Sequence, residues 1–167
     1  VNLQPIWHTL EASRLGQYLA SSDWAFPTLE TVHVIALVAM LGTILVLDLR
    51  LLGVASRSVA VTAVTRATLL FAVPAFGLVT LSGVLLFMSK APIYMINVYF
   101  LAKLVLLGLA GINVAIFHLL TWRGIAVWDT VAVSPMSAKL AGAFSLVFWI
   151  GTVFCSRMIG FTLGLYE

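Results

Sequence analysis

Four long apolar runs limit what this chain can become. Leu29–Gly53, Ala67–Ser89, Val98–Thr121 and Ala138–Gly160 each exceed the ~20 apolar residues that a helix needs to cross a hydrocarbon core about 30 Å thick. Only 9% of the 167 residues are charged and 62% are hydrophobic, where a soluble domain carries about 25% charge. The mean hydropathy of +1.13 agrees. The expected fold is all-α: an integral membrane four-helix bundle in one body, preceded by an N-terminal amphipathic surface helix.

Residues 1–27 mix polar and apolar side chains. Ile6, Trp7, Leu10, Leu15, Tyr18 and Leu19 recur at helical spacing with Glu11, Arg14 and Gln17 between them, a pattern for a helix on the membrane surface or docked on the bundle. Residues 1–26 lack a basic start followed by an apolar core, so no signal peptide is expected. The bundle is expected over 28–160, with crossings at 29–53, 67–89, 98–121 and 138–160, and an interfacial tail at 161–167. Pro27 and Thr28 suit the first helical turn. Pro74 predicts a kink, because it removes a backbone donor and crowds the preceding turn. Gly77 and Gly83 offer close helix approach, and Tyr94 and Tyr99 mark an interface.

The net charge of +3 comes from basic residues scattered singly, which excludes a nucleic-acid surface and leaves them to orient the chain. Arg50, Arg57, Arg66, Arg123 and Lys139 fall on one side, and Arg14, Lys90, Lys103 and Arg157 on the other. That five-to-four bias, concentrated in the first connection, places this connection in the cytoplasm and both termini on the periplasmic side of a bacterial inner membrane. Cys155 is the single cysteine; it makes no intrachain disulfide and is expected to pack as a small apolar residue.

His33 and His118 are the only histidines inside the apolar runs, and a histidine in a membrane helix is a candidate functional site. Helices one and three run in the same direction. His33 lies roughly 6 Å below the start of the first and His118 roughly 30 Å into the third. A separation of roughly 20 Å excludes one haem or metal ion shared by the two; His8, in the surface segment, is the remaining histidine. Two separate polar clusters are expected instead. Glu30, His33 and Lys103 share one depth, with a Glu30–Lys103 ion pair. Asp48, Arg50 and His118 share the other, with Asp48 accepting the imidazole proton. Both are read first as structural contacts fixing helix register. Axial ligation of a haem b or a chlorophyll-type magnesium by either histidine singly is the alternative, and proton or ion transfer the third. Asn113 is read as a helix–helix hydrogen bonder, and Gly111 with Ala115 and Ala138 with Gly142 as small pairs for tight packing. There is no phosphate loop, metalloprotease helix or serine nucleophile elbow, so no enzyme is expected.

Glu30-Thr31-Val32-His33, Gly42, Asp48-Leu49-Arg50-Leu51-Leu52-Gly53, Pro74, Gly83 with Leu86-Phe87, Asn97 with Lys103, and Asn113 with Phe117-His118 resemble a family of small, uncharacterised four-helix bacterial membrane proteins. The likeness spans about Pro27 to Arg157; it implies a four-helix fold and no activity. A looser likeness, in helix number and two membrane histidines, is to the copper-resistance D membrane domain and four-helix b-type cytochromes. The expected function is a non-catalytic accessory subunit that stabilises a larger energy-transducing complex, respiratory or photosynthetic. Its expected partners are the lipid bilayer and other membrane subunits, and the sequence requires no cofactor.

Overall fold

The computed structural model describes residues 4–131 and 133–165; the ends of the amphipathic segment at 1–3 and of the tail at 166–167 lie outside the described residues. Two short helices, α1 (Gln4–Glu11) and α2 (Arg14–Ser21), precede the first crossing, α3 (Ala25–Leu52). Then come α4 (Val61–Ser89), the short α5 (Ala91–Ile96) and α6 (Val98–Ile116). Beyond α6 the chain widens into a π-turn over Phe117–Thr121, tightens over Trp122–Gly124 and makes one turn, α7 (Ile125–Trp128). The last crossing is α8 (Met136–Thr162). Four of these segments are long and apolar enough to span a bilayer, and the chain is a multi-pass membrane protein.

The four crossings pack as antiparallel neighbours: α4 against α3, α3 against α8, and α8 against α6. Phe87 of α4 stacks on Phe100 of α6 at 5.5 Å, which brings the outer two together at the end that carries His33. The N-terminal segment is two docked helices and not one. Ser13 breaks it by accepting the Gly16 amide at 3.1 Å, which caps α2. Gly16 sits against the Leu10, Glu11 and Met88 carbonyls, where a Cβ would come within 2.7 to 3.0 Å, and Trp7 packs edge-on against Phe87.

Helix ends follow local chemistry. Gly53, at φ 73°, ends α3 with its amide on Arg50 O while Val54 N reaches Leu49 O, an arrangement that favours glycine. The second helix begins at Val61, six residues before its apolar run, because Thr65 and Thr68 are buried. Thr68 Oγ1 donates to Thr43 O of α3 at 3.2 Å. α4 continues as helix through Pro74. Asn97 starts α6: its Oδ1 accepts from Tyr99 and Phe100 amides at 3.0 and 3.2 Å, and its Nδ2 donates to Thr162 Oγ1 at 3.0 Å. The small-residue pairs divide. Gly142 touches α3, where a Cβ would meet Asp48 O at 3.0 Å, while Gly77 and Gly111 face open space.

Candidate functional site

Polar side chains gather at both ends of the bundle. At one end, His33 of α3 faces α4, with Nδ1 2.9 Å from Ser82 Oγ. The Ser82 hydroxyl is itself 2.6 Å from Leu78 O. A hydroxyl has one proton, and a carbonyl can only accept, so Ser82 donates to Leu78 and His33 Nδ1–H donates to Ser82. The neutral ring then keeps an acceptor at Nε2. Gly83 makes room for this ring: a Cβ there would lie 3.2 Å from His33 Cε1. Lys103 of α6 lies close enough for its charge to reach His33 and Cys155.

No Glu30–Lys103 ion pair forms among the described residues. The expectation of that pair is corrected: α3 shares its long contacts with α4 and α8 and not with α6, and Glu30 is exposed. Glu30 acts on Tyr94 of α5 instead. Burial first, and the Glu30 carboxylate second, hold that phenol above its ordinary value. Tyr94 also packs on Phe87 and Phe100 at 6.1 and 5.3 Å. His8 is exposed on α1.

At the other end, Arg50 is fully buried. Its Nε donates to Val59 O at 2.8 Å and its Nη2 to Val131 O at 3.2 Å. Longer contacts of 3.4 Å run from Nη1 to Ser134 Oγ and from Nη2 to Asp129 O. One side chain of α3 therefore ties together the connection before α4 and the connection before α8. Asp129 completes this clasp. It accepts the Thr62 amide on Oδ1 at 2.7 Å and the Thr62 hydroxyl on Oδ2 at 2.8 Å, while its carbonyl takes the Val61 amide at 2.9 Å. It thus caps α4 from a remote loop, a role α4's own preceding residue Ala60 has no side chain to fill. The Thr62 backbone bond first, then the Thr62 hydroxyl, the Val61 amide and Arg50, hold the Asp129 carboxyl below the usual aspartate value. Leu51, Val61, Phe117, Trp128 and Ala138 form the apolar core beside the clasp.

The expected cluster of Asp48, Arg50 and His118 is not assembled. Residues two apart on a helix face different sides, so Arg50 turns to the connections while Asp48 turns to α8, facing Ser145. His118 follows the buried Phe117 and is exposed. Its Nδ1 lies 2.9 Å from Val114 O of the same helix and so donates. The ring stacks on Trp122 at 5.7 Å, and Nε2, the acceptor atom, meets no partner among the described residues. His33 is 8 residues into α3 and His118 is 20 past the start of α6, which keeps the two near opposite ends at about 1.5 Å per residue. No group of three or more His, Cys, Asp or Glu side chains able to hold a metal ion is found among the described residues.

A family profile described as a family of unknown function, DUF6644, matches residues 9–162. The chain belongs to the DUF6644 family. No curated protein and no solved structure matches it. Other polar contacts of this DUF6644 chain are local to helix pairs. Asn113 Nδ2 donates to Ala141 O of α8 at 2.9 Å. Ser82, Asp129 and Ser134 were not among the site residues expected from the sequence. A serine on an apolar helix carries no periodic signal, and Asp129 sits in a connection that reads as solvated.

Proposed function

We propose that this DUF6644 chain is a non-catalytic subunit that packs against and stabilises a larger membrane assembly. The observation that carries this reading is His118. It is an exposed polar side chain on an apolar helix, at a π-turn, with its own-helix bond on Nδ1 and no partner for its acceptor Nε2 among the described residues. A polar group at membrane depth calls for a partner, and π-turns occur often at functional positions. His33, Thr68, Asn97 and Asn113 each bond across helices, and the outer faces of the bundle expose large apolar side chains. In the most apolar window of each span, only 11 to 28% of residues are buried within the chain, which leaves wide surfaces for lipid and for neighbouring subunits. The energy-transducing complexes of a bacterial inner membrane are the first hosts to test.

The test is gentle solubilisation of the native membrane, followed by intact-complex mass measurement. The reading expects this chain in a larger complex, and expects His118→Leu to release it while leaving the helical content unchanged. Recovery of the wild-type chain only as an isolated monomer would sink the idea. The same Nε2 favours one second reading, in which His118 is the single axial ligand of a haem or chlorophyll-type pigment: Nδ1–H held by a carbonyl is how ligating imidazoles are oriented. An absorption band lost in His118→Leu supports it, and a folded wild-type protein without such a band removes it.

A further inference from the structure

The four crossings are joined along three sides, and the fourth side, between α4 and α6, has no packed seam among the described residues. The two helices meet where Phe87 stacks on Phe100 at 5.5 Å. The face of α4 that carries Phe87 returns at Thr80 and Phe76, and the face of α6 that carries Phe100 returns at Leu104 and Gly111. All four residues are exposed, and a Cβ on Gly111 would meet no atom within 4 Å. Below the Phe87–Phe100 stack, an apolar fissure thus opens sideways onto lipid. Trp7 of α1 and Tyr94 of α5 pack on the same stack, which roofs the fissure at the end that faces water.

Lys103 stands just beneath this roof. Three residues past Phe100, it is turned about 60° from the side that faces α4, toward the interior, where its charge reaches His33 of α3 and Cys155 of α8. It makes no hydrogen bond or ion pair among the described residues. No acid of the crossings can neutralise it. α4, α6 and α8 contain none, Asp48 is at the far end of α3, and Glu30 is exposed and acts on Tyr94. The lysine is half-buried, yet its Nζ is not one of the sealed polar atoms without a partner, which are Asp48 Oδ2, Thr65 Oγ1 and Thr152 Oγ1. An ammonium at membrane depth without an anion is costly, and this one is open to an incoming group.

We propose that the fissure seats a free long-chain fatty acid, with its carboxylate on the Lys103 ammonium and its chain along Leu104 and Gly111. Charge fixes one end of the occupant, because a carboxylate and an ammonium form a strong pair that is neutral as a unit. The apolar walls fix the other end. From Lys103 to the end of α6 at Ile116 the chain has about 20 Å to run. The route in agrees. The site is roofed against water and open to lipid, and a carboxylic acid crosses lipid in its protonated form, then releases that proton to interfacial water as it pairs. Depth argues against a phospholipid: Lys103 is five residues past the start of α6, about 8 Å, so a phosphate at headgroup level would sit above the aromatic roof. The inward turn of Lys103 argues against an acid on a partner's helix, which would lie outside the fissure.

The experiment uses the full chain in phosphatidylethanolamine nanodiscs, with no other protein present, so its outcome is separate from any docking at His118. The probe is oleate isotopically labelled at its carboxyl carbon, followed by carbon NMR. A carboxyl resonance distinct from that of lipid-dissolved oleate should appear and saturate at one per chain. It should stay ionised to a lower pH than oleate in the surrounding lipid. Lys103→Gln should weaken binding about tenfold or more, as loss of a charge-assisted bond does, and Lys103→Arg should retain it. Gly111→Phe should fill the fissure and remove the resonance with the charge still in place. Val105→Phe, on the exposed opposite side of α6, should leave it unchanged. Circular dichroism establishes that each variant is folded, and Gly111→Phe decides the matter if Lys103→Gln is not. The absence of a saturable resonance overturns the proposal, as does an unchanged one in a folded Lys103→Gln or Gly111→Phe. Displacement of oleate by an equal concentration of acetate, or of phosphatidylglycerol, overturns it too.

Discussion

Replacing Arg50 with methionine tests the clasp at the end opposite His33. Methionine keeps most of the volume and removes every donor. The guanidinium makes two bonds of ordinary length, 2.8 Å to Val59 O and 3.2 Å to Val131 O, and two longer ones. Hydrogen bonds to a charged group contribute about 1.5–3 kcal/mol each, so the two shorter ones stand for ~3–6 kcal/mol. Removing the cation also removes its burial cost, several kcal/mol in magnitude. The acceptors left behind lose about 1–3 kcal/mol each. An unfolded chain in a micelle finds substitute partners, which lowers the measured value. A net loss of about 3 kcal/mol is expected, at the low end of what loss of a buried charged partner costs. Arg50→Lys should recover part of it, because one ammonium cannot reach acceptors on two connections as a planar fork does. Detergent-induced unfolding of the purified chain, followed by circular dichroism, supplies the free energies. A loss below about 1 kcal/mol, the size of an exposed ion pair, would refute the reasoning.

Two further outcomes follow from the same geometry. Asp129 is held below the usual aspartate value, so its contribution is present above that usual value and is lost as pH falls through the lower, folded one. The melting temperature should drop on acidification below about pH 4, and Asp129→Asn should flatten that drop; an identical acid profile in the variant would count against the cap. Gly83→Val places a branched side chain where the first carbon already lies 3.2 Å from His33 Cε1, and overpacking of this kind costs about 1–3 kcal/mol. Adding His33→Ala should relieve part of that loss, and a strictly additive double variant would show that the two side chains do not meet.

The all-α membrane fold was legible because hydrophobicity over ~20 residues is a strong signal. The ends were less so. The α4 helix begins in a polar stretch, where Thr65 and Thr68 are buried and Thr68 bonds Thr43 O of α3. Depth along a helix was also legible, but direction around it was not used. Asp48 and Arg50 share a depth and face different partners, so the level that joined them with His118 could not show they part. Glu30 and Lys103 failed to pair for a related reason: which helices are neighbours is a property of packing, and spacing along one run does not carry it. Asn113 differs, because a lone amide in an apolar helix has few ways to be satisfied, and its bond to Ala141 O is one of them. Asp129 acts through a contact 67 residues away in sequence, beyond the reach of any local pattern.

The most direct measurement of the account is site-specific photocrosslinking in native membranes, with a photoreactive phenylalanine at Leu119, beside His118 on the exposed face of the π-turn. A matched probe at Leu70 of α4 serves as the lipid-facing reference. A subunit that docks through the His118 face gives one discrete protein adduct from position 119 and none from position 70. Lipid adducts alone at both positions would contradict it.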